Sequence, residues 1–246
     1  KNFEFLNYIE QEENTYLLKN KDRDRKAKIA HLFNTIEFEE KIEKIQKYLP
    51  EGLTEKILSQ RDRIEGERKQ VTVMFCDMEG FTRLTESLGP EEAYGIMDQI
   101  YEILIHKVHD YEGTVNEFTG DGIMALFGAP IALEDAPQRA IRSAYAVHRE
   151  MTRFNDKMKQ EKANIPQIKM RIGIHTGSVV VGTLGNDLRV EFKAVGDTVN
   201  LAAHLNSIAK PGEIIITKSV YENLEGRITV KPLSPQHIKG ITKPVE

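Results

Sequence analysis

Between Gln70 and Phe127 the hydrophobic pattern switches period. An apolar run, Val71–Cys76, gives way to a helix-spaced stretch, Pro90–His109, and then to two short apolar runs, Thr114–Phe118 and Ile123–Phe127, that read as a hairpin. Strand, helix and hairpin in so short a length leave few folds open. The helix carries Ala93, Ile96, Met97, Ile100, Ile103 and Leu104 on one face, and that stripe has to be buried against the sheet. The alternation continues with a helix over 135–157, strands near Ile168–Ile174 and Ser178–Val181, a strand Val190–Ala194, a helix Thr198–Ile208, a strand Glu213–Thr217, and a short helix with further strands. The pattern predicts an α+β sandwich, two helices on one antiparallel-rich sheet, with a ferredoxin-like βαββαβ core.

Two of the strand-like runs lead into an aspartate closely followed by glycine: Asp77 in VTVMFCDMEGFT and Asp121 in NEFTGDGIMALFG. The glycines let the backbone turn sharply and come close to a ligand. Either aspartate alone reads as a solvated turn residue. Together, on rigid strand ends, they suit Mg²⁺, which takes hard oxygen ligands and commonly combines one or two protein carboxylates with substrate phosphates. Met78-Glu79-Gly80-Phe81-Thr82 then opens a helix running through Leu84 and Leu88, whose first N–H groups would face an anion. A metal beside a helix N-terminus predicts a polyphosphate ligand.

The 246 residues, 40% hydrophobic and 29% charged, suffice for one medium domain plus an appendage. A net charge of −4 without a basic stripe argues against a nucleic-acid binder. No apolar stretch approaches the roughly 20 residues needed to cross a bilayer, and no secretory segment opens the chain, so no membrane contact and a cytoplasmic location are expected. Cys76 is the only cysteine, which excludes an internal disulfide and a cysteine-built zinc site; within its apolar run it reads as a small buried hydrophobe.

Residues 1–66 differ from the rest, with the charge-dense LKNKDRDRKAK and a helical seam of Phe38, Ile42, Ile45 and Leu49. That seam fits a helix packed on its own domain or a dimer coiled coil equally well. The expected division is a helical, signal-transducing segment over 1–66 and a second domain over 67–246. A start at Lys1 rather than methionine suggests a piece of something longer.

The segments 71–82, 113–130 and 190–205 resemble the catalytic domain of class III nucleotidyl cyclases, the adenylate and guanylate cyclases. The resemblance runs from about Arg68 to the C-terminal end, and EGERKQVTVMFCDM, GTVNEFTGDGIMALFGAP and IKGITKPVE resemble most the bacterial domains attached to sensor or ATPase modules. It implies cyclisation of a nucleoside triphosphate, GTP or ATP, with two Mg²⁺ or Mn²⁺ ions per site held by Asp77 and Asp121, with the Met78 carbonyl as a further candidate. Gly80, Phe81 and Thr82 would offer backbone donors to the phosphates, and Lys239 matches a family lysine that reaches the triphosphate. Glu117 and Lys193 fall at positions that read the purine edge, and Asn200 fits an asparagine that orients the ribose. The resemblance further implies a homodimer with two composite sites, metal aspartates from one subunit and base-reading residues from the other, driven by an upstream sensor or regulatory domain.

Glu117 matches the guanylate pattern, whereas Lys193 matches neither usual pattern. Guanine offers N1–H and an N2 amino group to a carboxylate and O6 to an ammonium, so this pair suits guanine better than adenine. The alternative is that Glu117 and Lys193 simply pair with each other. The larger departure is His204, where the family has an arginine one helical turn after Asn200. Arginine is always charged and forks onto phosphate oxygens, whereas histidine has fewer donors and is charged only part of the time near neutral pH. The expectation is low, pH-dependent or absent turnover, unless His204 is an ordinary surface histidine; Glu213 is a second, softer departure. Two readings follow: a GTP-favouring nucleotide cyclase, or a weakened domain acting as a nucleotide-binding or dimerising regulatory module. A diguanylate-forming domain is disfavoured because no GGDEF-type signature is present.

Overall fold

The computed structural model describes residues 66–161, 165–186, 189–224, 226, 228–235 and 245. The expected N-terminal helical segment over 1–66, but for Gly66, and Lys239 lie outside the described residues. The elements in order are β1 (Glu67–Glu79), α1 (Phe81–Leu88), α2 (Pro90–His109), β2 (Thr114–Phe118), β3 (Gly122–Phe127), α3 (Ala136–Glu161), β4 (Lys169–Asn186), β5 (Arg189–Val195), α4 (Asp197–Ile208), β6 (Ile214–Ile216) and α5 (Lys218–Glu222). The sheet runs β2-β3-β1-β4-β5 with every neighbour antiparallel, and β6 joins β4 in parallel. The order β2-β3-β1-β4, with α1–α2 and α3 as the crossovers, is the expected ferredoxin-like core.

Alternate residues of β1 enter two different clusters. Met74, Cys76 and Met78 pack with Ile96, Ile100 and Leu104 of α2 and Ala144, Val147 and Met151 of α3. Val71 and Val73 pack on the other face with Met124, Leu126, Val179, Val181 and Ala202 of α4. Both faces are therefore covered, and α4 is an addition to the two-helix sandwich expected. Fully burying a side chain such as Ile100 contributes about 2 kcal/mol. Burial raises the Cys76 thiol, which stays a protonated core group.

Two expected strands, Ile168–Ile174 and Ser178–Val181, are one. The long β1 pairs with β4 continuously from Glu67 opposite Val181 to Glu79 opposite Lys169, so the HTG stretch continues the ladder instead of turning. Its glycines serve packing: a Cβ on Gly173 would stand 2.2 Å from the Asn206 backbone nitrogen, and one on Gly177 2.5 Å from Thr198 Oγ1. Both contacts are with α4, which needs bare backbone beneath it. The further strands expected after α5 do not form among residues 228–235. No helix among the described residues is long and apolar enough to cross a membrane.

Candidate functional site

Asp77 lies two residues before the end of β1, opposite Gly122 on β3 and Arg171 on β4. It has the parity of Val71 and Val73, so its carboxylate emerges on the face away from α2 and α3. Gly122 allows the close approach that brings in Asp121. A Cβ there would lie 2.1 Å from the Cys76 carbonyl oxygen and 2.8 Å from the Asp77 Cα. The Met78 amide donates to the Asp121 carbonyl at 2.9 Å and locks the two strand ends together. Because the N–H and C=O of a strand residue point to the same side, the Met78 carbonyl faces Asp121 as well.

The two carboxyl groups converge. Burial first, then a hydrogen bond to Asp77 and its charge, push the Asp121 carboxyl up from 3.8 to about 6. When both groups are ionised neither can donate, and Asp77 Oδ1 is buried without a partner. One shared proton or one cation satisfies that oxygen. Asp77 Oδ2 accepts from the Arg171 guanidinium at 2.8 Å, and Arg171 also approaches Glu79 Oε2 at 3.5 Å. The residues therefore fit a hard divalent cation. Among the described residues there is no cluster of three or more histidine, cysteine or acidic side chains, so the donor set is that of an ion completed by water or ligand oxygens.

Gly80, with φ 84°, turns the chain from β1 into α1 as its N-cap, and its carbonyl accepts from the Leu84 amide at 3.0 Å. The amides of Phe81 and Thr82 open the helix and have no acceptor within it. The Phe81 side chain packs on the core, which anchors this corner.

Glu117 and Lys193 form an ion pair at 3.0 Å, bringing the edge strands β2 and β5 together, with a bulge in β2 immediately before Glu117. Asn200 and His204 stand one turn apart on α4, outside its buried stripe of Leu201, Ala202 and Leu205. The described chain thus carries three groups on separate elements: the carboxylate pair with Arg171, the Glu117–Lys193 pair, and the outer face of α4.

Arg171 and Tyr101 escaped sequence reading. Arg171 did leave a signal, as the one charge between apolar neighbours in Met170–Ile174. Tyr101 left none, since a tyrosine beside a helix's apolar stripe is ordinary core edge. Its hydroxyl donates to the Gly120 carbonyl at 2.7 Å and its ring meets Phe118 edge-on at 4.9 Å. Burial first, then the charges of Asp121 and Asp77, hold the phenol above its ordinary range.

The same architecture occurs in proteins of known class. The chain is 32% identical over 175 residues to adenylate cyclase 1 of Rhizobium meliloti (strain 1021), covering 70% of this chain and 26% of that protein. It therefore spans about a quarter of that relative's length. The adenylyl cyclase CyaB from P. aeruginosa superposes with a TM-score of 0.71 at 30% identity, over 74% of this chain and 93% of that one. The guanylyl cyclase Cya2 superposes with a TM-score of 0.69 at 32% identity, over 73% and 90%. Residues 65–246 match the family model of the adenylate and guanylate cyclase catalytic domain, and the chain belongs to that family.

Proposed function

We propose that this domain converts a purine nucleoside triphosphate, GTP in preference to ATP, into the 3′,5′-cyclic nucleotide and pyrophosphate. The observation that carries the reading is the convergence of Asp77 and Asp121 on an orphaned buried oxygen, next to Arg171 and the start of α1. Asp77, Asp121 and the Met78 carbonyl would hold two Mg²⁺ or Mn²⁺ ions, which when bound acidify the 3′-hydroxyl and neutralise the triphosphate. The ribose 3′-oxygen forms a bond to the α-phosphorus while the bond to the bridging α–β oxygen breaks. The hydroxyl proton passes to solvent water and pyrophosphate leaves.

The protein's own part is positioning and charge. The amides of Phe81 and Thr82 would face the β- and γ-phosphates, and Lys239 would reach the triphosphate as the family resemblance implies. Arg171, which pairs with Asp77 and approaches Glu79, would shift its guanidinium from Asp77 to a phosphate oxygen. Glu117 and Lys193 present a carboxylate and an ammonium side by side, the complement of the guanine N1–H/N2 edge and O6. Asn200 orients the ribose, and His204 is the donor toward the transition state. These last four groups lie on β2, β5 and α4, and the carboxylate pair on β1 and the turn before β3, a division that suits a homodimer whose subunits each complete the other's site. A triphosphate substrate favours a cytoplasmic location, and the length of the relative favours control by a flanking regulatory domain.

Incubation with each of the four triphosphates and Mn²⁺, followed by mass spectrometry, tests the reading; the expected product is cyclic GMP. No cyclic nucleotide from any triphosphate, with the protein dimeric in the same buffer, overturns it. A second reading, a weakened nucleotide-binding regulator, is favoured by His204 and by the neutralisation of Lys193 on Glu117. Replacing His204 by arginine separates them: a rise of tenfold or more, about 1.4 kcal/mol of barrier, marks an enzyme with an impaired donor. No gain in an inactive protein marks the regulator.

A further inference from the structure

We propose that Tyr101 is a positioning residue for the carboxylate pair: its hydroxyl holds the Gly120 carbonyl and thereby sets where Asp121 stands relative to Asp77. The inference rests on reading that pair as a metal site.

The turn Thr119–Asp121 has to hold a carboxylate against its like-charged neighbour, and its own sequence is poorly suited to that. Gly120, with φ 93°, has the widest conformational freedom of any residue and no side chain to pack. The turn is fixed at three points. The Thr119 amide donates to the Gly122 carbonyl at 2.9 Å and the Met78 amide to the Asp121 carbonyl at 2.9 Å. The third is the Tyr101 hydroxyl on Gly120, at 2.7 Å the shortest of the three.

The first two tie the turn to the sheet. The third ties it to α2, whose Ile100 and Leu104 are fully buried in the core, so Tyr101 projects from a rigid base. The ring also meets the half-exposed Phe118 edge-on at 4.9 Å, a packing contact separate from the hydroxyl's bond to Gly120. Without that hydroxyl the Gly120 peptide can rotate, and repulsion between the carboxylates would drive Asp121 away from the geometry a cation needs.

Tyr101→Phe removes the hydroxyl and keeps the ring. Mn²⁺ binding without nucleotide, read from the electron paramagnetic resonance of free Mn²⁺, should weaken three- to tenfold, while the melting temperature in chelator stays within a few degrees. Amide hydrogen exchange at Met78, whose acceptor is Asp121, should accelerate. Phe118→Leu loses the ring contact but keeps the hydroxyl bond, and should bind Mn²⁺ within twofold of wild type. Equal Mn²⁺ affinity in Tyr101→Phe and wild type overturns the proposal, as does an equal loss in Phe118→Leu. If wild type binds no Mn²⁺, or Asp121→Asn binds it as well as wild type, the metal reading itself falls and the role of Tyr101 with it.

Discussion

Asp121→Asn should make the metal-free protein more stable while abolishing metal binding. The folded-state pKa of Asp121 lies above its ordinary 3.8, at about 6. Between those values the native state binds more protons than the unfolded chain, so wild-type stability falls as pH rises from about 4 to about 6 and then levels off. A shift of two units corresponds to roughly 3 kcal/mol, and because Asp121 keeps contact with water, about 1–2 kcal/mol is the appropriate figure. Asparagine removes the charge, and its amide can donate to the orphaned Asp77 Oδ1. Urea unfolding in EDTA should therefore give Asp121→Asn an advantage of about 1–2 kcal/mol at pH 8 that shrinks toward zero near pH 4. Saturating Mn²⁺ should stabilise wild type alone. A variant less stable than wild type at pH 8 in EDTA, or an advantage independent of pH, would refute the claim that the two carboxylates are held together at a cost.

Gly122→Ala must push a Cβ against the Cys76 carbonyl and the Asp77 Cα; we expect a loss of about 2–3 kcal/mol in urea unfolding and, where the protein folds, turnover lower by roughly 10²-fold from displaced carboxylates. Arg171→Met removes the partner of a mostly buried carboxylate; an intermediate loss of about 1–3 kcal/mol is expected in EDTA, most of it restored by Mn²⁺. The same variant should bind Mn²⁺ alone at least as tightly as wild type, because one cation no longer competes with another, yet bind triphosphate at least tenfold more weakly in calorimetry. Glu117→Lys with Lys193→Asp reverses the charges offered to the base, and competing GTP and ATP in one product assay should show the ratio moving toward cyclic AMP.

What the sequence made legible was local or periodic. The α2 stripe, the β2–β3 hairpin and the two strand-end aspartates each declare themselves within a few residues, and the pairing of that hairpin with β1 brings Asp77 and Asp121 together. Contacts between distant segments were not legible. Gly173 and Gly177 read as weak points in a strand because their purpose, the close seating of α4, lies outside their own segment. Arg171 meets Asp77 across 94 residues of chain, through a register that neither strand shows alone. For Glu117 and Lys193 both outcomes were open in the sequence, and the structure pairs them.

The charge arrangement explains why this corner needs such firm backbone. Two converging carboxylates carry two negative charges; Arg171 neutralises one, and Glu79, half exposed, takes up part of that cation. A residual negative charge therefore remains on an oxygen sealed from water, where a like-charge contact is worth several times its value in solvent. Left to soft loops, the two groups would separate until water resolved the repulsion. Here one aspartate belongs to a strand paired on both sides, and the other is fixed to it by the Met78 amide, the bare backbone of Gly122 and the Tyr101 hydroxyl. The repulsion is thus overcome during folding by the sheet and α2. A divalent cation arriving later meets oxygens already in place and relieves the strain instead of creating order, so metal affinity and metal-free instability must change together in any variant that alters the separation of Asp77 and Asp121.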